Sequence, residues 1–358
     1  MFAVIMCGGS GTRFWPASRR QRPKQFLDIT GKGPMVVDTC DRLAPLIADD
    51  SVILILGKEH QEEAGTLFEG RKVHILAEPA GRNTAPCMGL GALYARHLGS
   101  EAPVAFLPAD HYIRKPEVFL RDLKSAGKLA EDSGIITLGI VPTRPETGYG
   151  YIQTSPNTGG STTSPAFRVS AFVEKPDIHK AHAYLKSGDY YWNAGIFVAT
   201  PETILKEIET QLPDLHAALG QIAKSMGTDH FEQEFERAYE SIQGISFDYG
   251  IMEHTKQPVY VIPSECGWSD VGSWESLYEL RGSECDEHAN LSEGETLIID
   301  CEKSFIRSHG DRLVACLGLK NCLVVDTGDT VLVANLAHSQ DIRKIVARLK
   351  KTQKDTLL

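Results

Sequence analysis

Short apolar runs alternate with helix-period stretches through the first two-thirds of the chain. Phe2–Met6, Val52–Leu56, Val73–Leu76, Val104–Leu107 and Ile135–Leu138 are brief, continuous and rich in β-branched residues, the pattern of buried strands. Thr84–Leu98 and Glu117–Asp132 carry the helical spacing between them. This alternation predicts an α/β fold, a Rossmann-like, mostly parallel sheet flanked by helices on both faces. From about Leu291 the texture changes. Thr296–Asp300, Ser304–Arg307, Leu313–Gly318 and Cys322–Val325 read as short strands with few helices between, and Asp326–Asp329 reads as a turn into Thr330–Ala334. Ser339 is placed to cap a last amphipathic helix with Ile342, Ile345, Val346 and Leu349 on one face. The spacing therefore predicts a first domain over 1–285 and a β-rich second domain over 286–358. No repeat of fixed period is evident. Residues 155–165 read as a polar, solvated hairpin loop.

Length adds to this picture, since 358 residues is long for a single core. No apolar run approaches the ~20 residues that span a bilayer. Phe2–Met6 is too short for a signal-peptide core and has no basic residue before it, so a cytoplasmic protein is expected. The eight cysteines are scattered without a Cys-x-x-Cys pair, which disfavours a zinc site or a disulfide framework. The net charge of −10 argues against a nucleic-acid-coating surface.

Against that acidic background, one loop is basic. Gly8-Gly9-Ser10-Gly11-Thr12-Arg13 follows the first strand, and Arg19, Arg20, Arg22 and Lys24 come next, with no acidic residue before Asp28. Glycines let backbone N–H groups approach phosphate oxygens, and the cations neutralise them. The spelling excludes a Walker loop, because Thr12-Arg13 follows Gly11, and a dinucleotide fingerprint, because Phe14 stands where the third glycine belongs. The plainer reading, a strand-to-helix turn, leaves the cations unexplained.

Further candidates sit at strand ends. Pro108-Ala109-Asp110-His111 follows a buried strand, and Asp270 lies in the tight segment Gly267–Trp274. Two single carboxylates on separate loops would suit Mg²⁺ completed by substrate phosphates, although each also suits a cap or turn. His111 reads better as a packing neighbour than as a base. Glu174-Lys175-Pro176 ends a strand, and alternation cannot place both charges on one face of it. Asn193 precedes an apolar strand, and Gly148 and Gly150 expose backbone between aromatics. Amides, carboxylates and bare backbone suit a sugar ring, while each feature alone is as well explained by structure.

Taken together, these motifs resemble those of the sugar-phosphate nucleotidyltransferases, in the same order. Trp15-Pro16-Ala17-Ser18-Arg19 with Glu78-Pro79-Ala80-Gly81-Arg82-Asn83-Thr84-Ala85-Pro86 resembles the mannose-1-phosphate guanylyltransferases in particular. The resemblance covers essentially the whole chain. It implies a nucleotide-binding α/β domain and a small β-helix-like C-terminal domain used in dimer contacts, hence a homodimer. Many bacterial members carry a further cupin-like isomerase domain, for which this sequence leaves no room after Leu358, so isomerase activity is not expected.

The implied reaction joins GTP and mannose 1-phosphate into GDP-mannose and pyrophosphate with Mg²⁺; neither nucleic acid nor membrane is an expected partner. The nucleotide would rest on Gly8, Gly9, Gly11 and Thr12, with Arg13 and Lys24 on its phosphates. Pro108 and Asp110 belong to the same nucleotide site. Glu78 or nearby carbonyls would select guanine, with Arg82, Asn83 or Thr84 reaching O6; the alternative is a Glu78–Arg82 ion pair. Lys175 would grip the sugar phosphate, and Glu174, Asn193 and Gly148 the mannose hydroxyls. Asp110 and Asp270 would hold the metal, and Arg13, Lys24 and Lys175 form the catalytic set. A nucleotidyltransferase for another sugar 1-phosphate or NTP, or a silent sugar-nucleotide-binding regulatory subunit, are the competing readings.

Overall fold

The computed structural model describes residues 1–9, 11–155 and 165–358. Residues 156–164 of the polar loop, and Ser10 of the glycine-rich turn, lie outside the described residues. Neither of the two compact units is one run of sequence. Unit one holds Met1–Gly8 and Thr39–Trp268, and unit two holds Gly9–Asp38 and Ser269–Leu358.

Unit one is built on β1 (Phe2–Cys7), β2 (Val52–Gly57), β3 (His74–Glu78) and β4 (Val104–Pro108), the two-residue β5 (Tyr112–Ile113), then β6 (Ile135–Ile140), β7 (Tyr151–Thr154), β8 (Phe167–Val173), β9 (Tyr190–Ala199) and β10 (Val259–Pro263). All but β5 form one sheet in the order β3-β2-β1-β4-β9-β6-β10-β8-β7. The strands β3, β2, β1 and β4 pair in parallel, as do β6 and β10. Their buried apolar runs reflect coverage on both faces. The antiparallel members come later: β9 runs against both β4 and β6, and β7 and β8 close one edge. Helix Thr84–His97 is apolar almost all round because it is buried within the main hydrophobic core. A Cβ at Gly91 would lie 2.7 Å from Val4 Cγ1, so the glycine sets how closely this helix packs on β1.

The described helices include none long and apolar enough to cross a membrane.

Unit two begins with two tight turns, Thr12–Phe14 and Lys24–Phe26. It ends in a coil of short strands. After β11 (Trp268–Ser269), which straddles the two units, come β12 (Leu291–Glu293), β13 (Thr296–Ile299), β14 (Phe305–Arg307), β15 (Val314–Leu317), β16 (Cys322–Asp326) and β17 (Val331–Asn335). The strands β12, β14 and β16 stack in parallel, with Leu291 beside Phe305 and Phe305 beside Leu323; β13 and β15 stack likewise. The two steps differ in length, which is why the sequence shows no fixed repeat. The last helix is Ile342–Lys351, and Ser339 is not its cap. Ser339 instead lies in a 3-10 turn, Leu336–Asp341, where its hydroxyl accepts from the Glu275 N–H. At the core of the unit, Trp274 packs on Phe14 (5.1 Å) and Phe305 (5.6 Å).

Candidate active site

In unit one, β1 delivers Gly8 and β4 delivers Pro108 and Asp110 at adjacent carboxyl ends, and the Ala109 N–H donates to Met6 O (3.1 Å). Ligands of open α/β sheets gather at such ends. His111 is occupied in packing: its Nδ1 accepts from Trp268 Nε1 (3.1 Å), and the rings meet edge to face. Its acceptor role at Nδ1 leaves the proton on Nε2. Gly195, at φ 66°, lies against Pro108 and His111, where a Cβ would sit 3.9 Å from each.

A cavity of about 550 Å³ opens among Asn83, Thr84, Glu174, Lys175, Asp248 and Tyr249. It gathers four of the residues expected to bind substrate. Strand β8 ends at Val173, and Lys175 takes φ 45°, a left-handed backbone that strand alternation does not allow. That bend lets Lys175 Nζ reach Glu174 Oε1 at 2.6 Å, with the carboxylate largely covered and the ammonium half exposed. Burial opposes the lysine's charge, yet the hydrogen bond and charge of Glu174, with Asp248, raise its pKa overall. Gly150 makes room for this pair, since a Cβ there would fall 2.5 Å from Glu174 Oε2.

Asn193 stands beneath the cavity rather than in its wall. Its Nδ2 donates to Asp248 Oδ1 (2.9 Å), and its Oδ1 accepts from the Gly195 N–H (3.0 Å) and Thr137 Oγ1 (3.3 Å). Only its second amide hydrogen remains for a ligand. Gly148 is exposed, and its N–H donates to Glu146 Oε1 (3.0 Å). Asp248 and Tyr249 carried no sequence signal. They begin a π-helical turn, Asp248–Met252, closed by the Glu253 N–H on Asp248 O (3.1 Å), a feature often found at functional sites. Burial, and next the charge of Glu174, push the Asp248 carboxyl up to about 6.

Glu78 is buried at the end of β3 and accepts from the Tyr239 hydroxyl. Burial pushes it up to about 7, against the lowering effect of that hydrogen bond. No ion pair joins it to Arg82 among the described residues; Arg82 Nη2 donates to Glu240 O (2.6 Å). Asn83 takes φ 72° and accepts from the Thr84 N–H, while Thr84 Oγ1 accepts from the Phe247 N–H (2.8 Å). These bonds fix the start of the helix against the segment that carries Asp248.

Unit two holds Gly9, Gly11, Thr12, Arg13, Lys24 and Asp270. Gly11 is at φ 54°, and a Cβ there would lie 2.6 Å from Lys24 Cβ. No other residue type allows the turn to approach Lys24 so closely. The Ser18 hydroxyl donates to Gly11 O (2.6 Å) and fixes the turn. Lys24 is 4 % exposed, and its Nζ donates to Asp270 O at 2.6 Å. A buried ammonium needs such partners, and a polyanion would add to them. Arg13 is exposed, and no hydrogen bond or ion pair engages it among the described residues. Val271, at φ 43°, and Gly272 shape the Asp270 backbone; a Cβ at Gly272 would lie 2.7 Å from Asp270 Oδ2.

Comparison with known proteins bears on both regions. The sequence profile of the nucleotidyl transferase family matches residues 2–287, and that of the MannoseP isomerase/GMP-like beta-helix domain matches 294–349. A mannose-1-phosphate guanylyltransferase of Salmonella montevideo is 40% identical over 352 residues, spanning 97% of this chain and 73% of the relative. The xanthan biosynthesis protein XanB of Xanthomonas campestris pv. campestris is 38% identical over 351 residues, with the same coverage. A crystal structure described as a mannose-1-phosphate geranyltransferase from Thermus thermophilus superposes with a TM-score of 0.86 at 34% identity, covering 98% of this chain and 99% of that one. On this agreement of sequence and fold, the chain belongs to the nucleotidyl transferase family, among relatives named mannose-1-phosphate guanylyltransferase.

Proposed function

We propose that the protein transfers GMP from GTP to α-D-mannose 1-phosphate, releasing pyrophosphate and giving GDP-mannose. The observation that carries this reading within unit one is the cavity where Glu174, Lys175 and Asp248 converge, two acceptors for hydroxyls beside one half-exposed ammonium for a phosphate. A sugar-phosphate oxygen attacks the α-phosphorus in line, opposite the departing pyrophosphate. That oxygen is already anionic, since a phosphate monoester has a second pKa near ~6, so no general base is required. The work is neutralisation and positioning. Lys175, its charge secured by Glu174, holds the sugar phosphate. Glu174 and Asp248 accept from mannose hydroxyls, Gly148 offers backbone, and Asn193 fixes Asp248.

On the nucleotide, Gly8, Gly9, Gly11 and Thr12 present backbone to the phosphates. Arg13 and Lys24 neutralise the triphosphate and the leaving pyrophosphate. Pro108 shapes the same site. Asn83, Thr84 and Arg82 serve the guanine end, and Glu78 accepts from the base through the carboxylate oxygen that Tyr239 leaves open. Mg²⁺, when bound, supplies further positive charge on the phosphate oxygens, and Asp110 and Asp270 would hold it. The donor set fits: these are hard carboxylate oxygens, and among the described residues no cluster of three or more His, Cys, Asp or Glu forms a closed cage. An ion held by one or two carboxylates and completed by substrate oxygens needs no such cage.

The reading includes a cytoplasmic homodimer. Exposed apolar side chains on two separate sheets of the terminal coil, Leu297, Ile299 and Leu317 on β13 and β15 and Val331 and Val333 on β17, support the second copy. Pyrophosphate release measured with each NTP and a panel of sugar 1-phosphates tests the activity. Turnover with GTP and mannose 1-phosphate that stops on chelation of Mg²⁺ is expected. Tight GDP-mannose binding with no turnover of any NTP would replace the enzyme with a regulatory binder.

A further inference from the structure

Three segments of unit one wall the cavity, and they are not fastened alike. Helix Thr84–His97 and the segment leading into the turn Asp248–Met252 are joined twice, by the Phe247 N–H on Thr84 Oγ1 (2.8 Å) and by the Ala85 N–H on Ile245 O (3.1 Å). Phe247 and Ile251 are fully buried and seat the turn in the core. Glu174 and Lys175, by contrast, follow the end of a strand. On one flank β7 pairs with β8 as far as Val173, opposite Tyr151. On the other flank β10 pairs with β8 at Phe167 and Arg168 alone, so from Val169 onward that flank has no ladder partner among the described residues. The backbone then turns through φ 45° at Lys175, a conformation unfavourable for a residue with a side chain. A strained bend at a strand end supported on one side needs a further hold.

Glu253 supplies it. This residue follows the π-helical turn directly. Its N–H donates to Asp248 O (3.1 Å), and its Oε1 accepts from the Glu174 N–H (3.1 Å). The backbone of one residue thus ties to the turn that carries Asp248, and its side chain to the strand end that carries Glu174 and Lys175. Among the described residues, no other hydrogen bond joins Glu174 or Lys175 to residues 244–253. The local charges make the contact more than incidental. Glu174 and Asp248 already repel each other, so a third carboxylate beside them is unfavourable in charge. The donated N–H offsets that, and a charged acceptor forms the stronger bond. Glu253 does not line the cavity, so whatever it contributes there passes through Glu174 and Lys175.

We propose that Glu253 is a positioning residue whose carboxylate clasps the Glu174 N–H and holds the Glu174–Lys175 bend against the Asp248 turn in the arrangement that the sugar phosphate requires. The assignment rests on the cavity being the mannose 1-phosphate site.

Steady-state kinetics of the full chain, with each substrate varied in turn, test it. In Glu253→Ala the KM for mannose 1-phosphate should rise about tenfold, as for one lost hydrogen bond to a charged group, while the KM for GTP stays near that of the wild type. Glu253→Gln keeps an acceptor oxygen and should restore most of that loss. Hydrogen–deuterium exchange should quicken over residues 167–175 in the alanine variant and stay unchanged over 84–97. Glu253 is exposed, so its replacement leaves the core intact, and circular dichroism melts check that each variant is folded. An unchanged KM for mannose 1-phosphate in Glu253→Ala, an equal rise in both KM values, or a glutamine variant as poor as alanine overturns the proposal. Lys175→Ala tells this failure from failure of the site. If it raises the mannose 1-phosphate KM where Glu253→Ala does not, the role of Glu253 alone falls. If it leaves that KM unchanged, the cavity is not the sugar-phosphate site and the positioning role falls with it.

Discussion

At the scale of single residues, two side chains make the sharpest tests. Lys24 is an almost fully covered ammonium on the Asp270 carbonyl. Its replacement by methionine keeps the buried stem and removes the charge, so the melting temperature should stay near that of the wild type. Turnover should fall by roughly two to three orders of magnitude, as for other lost transition-state donors, read as pyrophosphate release. Asp248 reports through pH. Its folded-state carboxyl is raised from 3.8 to about 6, so between those values the folded chain holds a proton that the unfolded chain has released. Its contribution to stability is therefore full below the unfolded value and is lost as pH rises through 6. Asp248→Asn should gain on the wild type across that window by at most about 3 kcal/mol, less where water reaches the half-buried group, as measured by denaturant titration at each pH. Lys24 was legible from its place in a basic run on an acidic chain. Asp248 was not, because a lone carboxylate between Phe247 and Tyr249 has no spacing to give it away; only the π-helical turn brings it to Glu174 and Lys175.

At the scale of elements, the strands of the parallel half could be read directly, because burial on both faces leaves continuous apolar runs such as Phe2–Met6 and Val52–Leu56. Antiparallel β9 was harder: it holds Asn193 and Gly195 at a bulge against β6, and a bulge breaks the period on which such readings depend. The charged pair after β8 was legible as a conflict, two adjacent charges that could not share a face, and the φ of 45° at Lys175 resolves it. Ser339 misled, since a serine before an amphipathic stretch signals a cap and here serves a 3-10 turn one step earlier. The segment around Asp270 offers a test of its own. Alanine at Gly272 would place a methyl 2.7 Å from Asp270 Oδ2 and push that carboxylate aside while leaving Lys24 in place. The Mg²⁺ concentration for half-maximal turnover should rise by about tenfold or more, against a nearly unchanged rate at saturating metal. An unchanged metal requirement would remove Asp270 from the proposed ligand set.

At the scale of the whole molecule, the terminal coil presents Leu317 at 70 % exposure on one sheet and Val333 at 65 % on another, apolar surface that water does not favour. Glutamate at both positions should shift the sedimentation coefficient from that of a dimer to that of a monomer, with the melting curve of the monomer retained. A wild-type chain that sediments as a monomer would retire the dimer. The grouping of Gly9–Asp38 with Ser269–Leu358 was beyond reading from one sequence, because its contacts join stretches more than two hundred residues apart and leave no local pattern. Trp15 Nε1 donates to Leu357 O (2.7 Å), and the Trp274 indole donates to Trp15 O (3.3 Å). On the ribosome, the glycine-rich turn emerges first but finds these anchors only when residues beyond Ser269 have been translated. At roughly 5–20 residues per second it waits on the order of tens of seconds for them. A nascent or prematurely stopped polypeptide should therefore lack the nucleotide site proposed above.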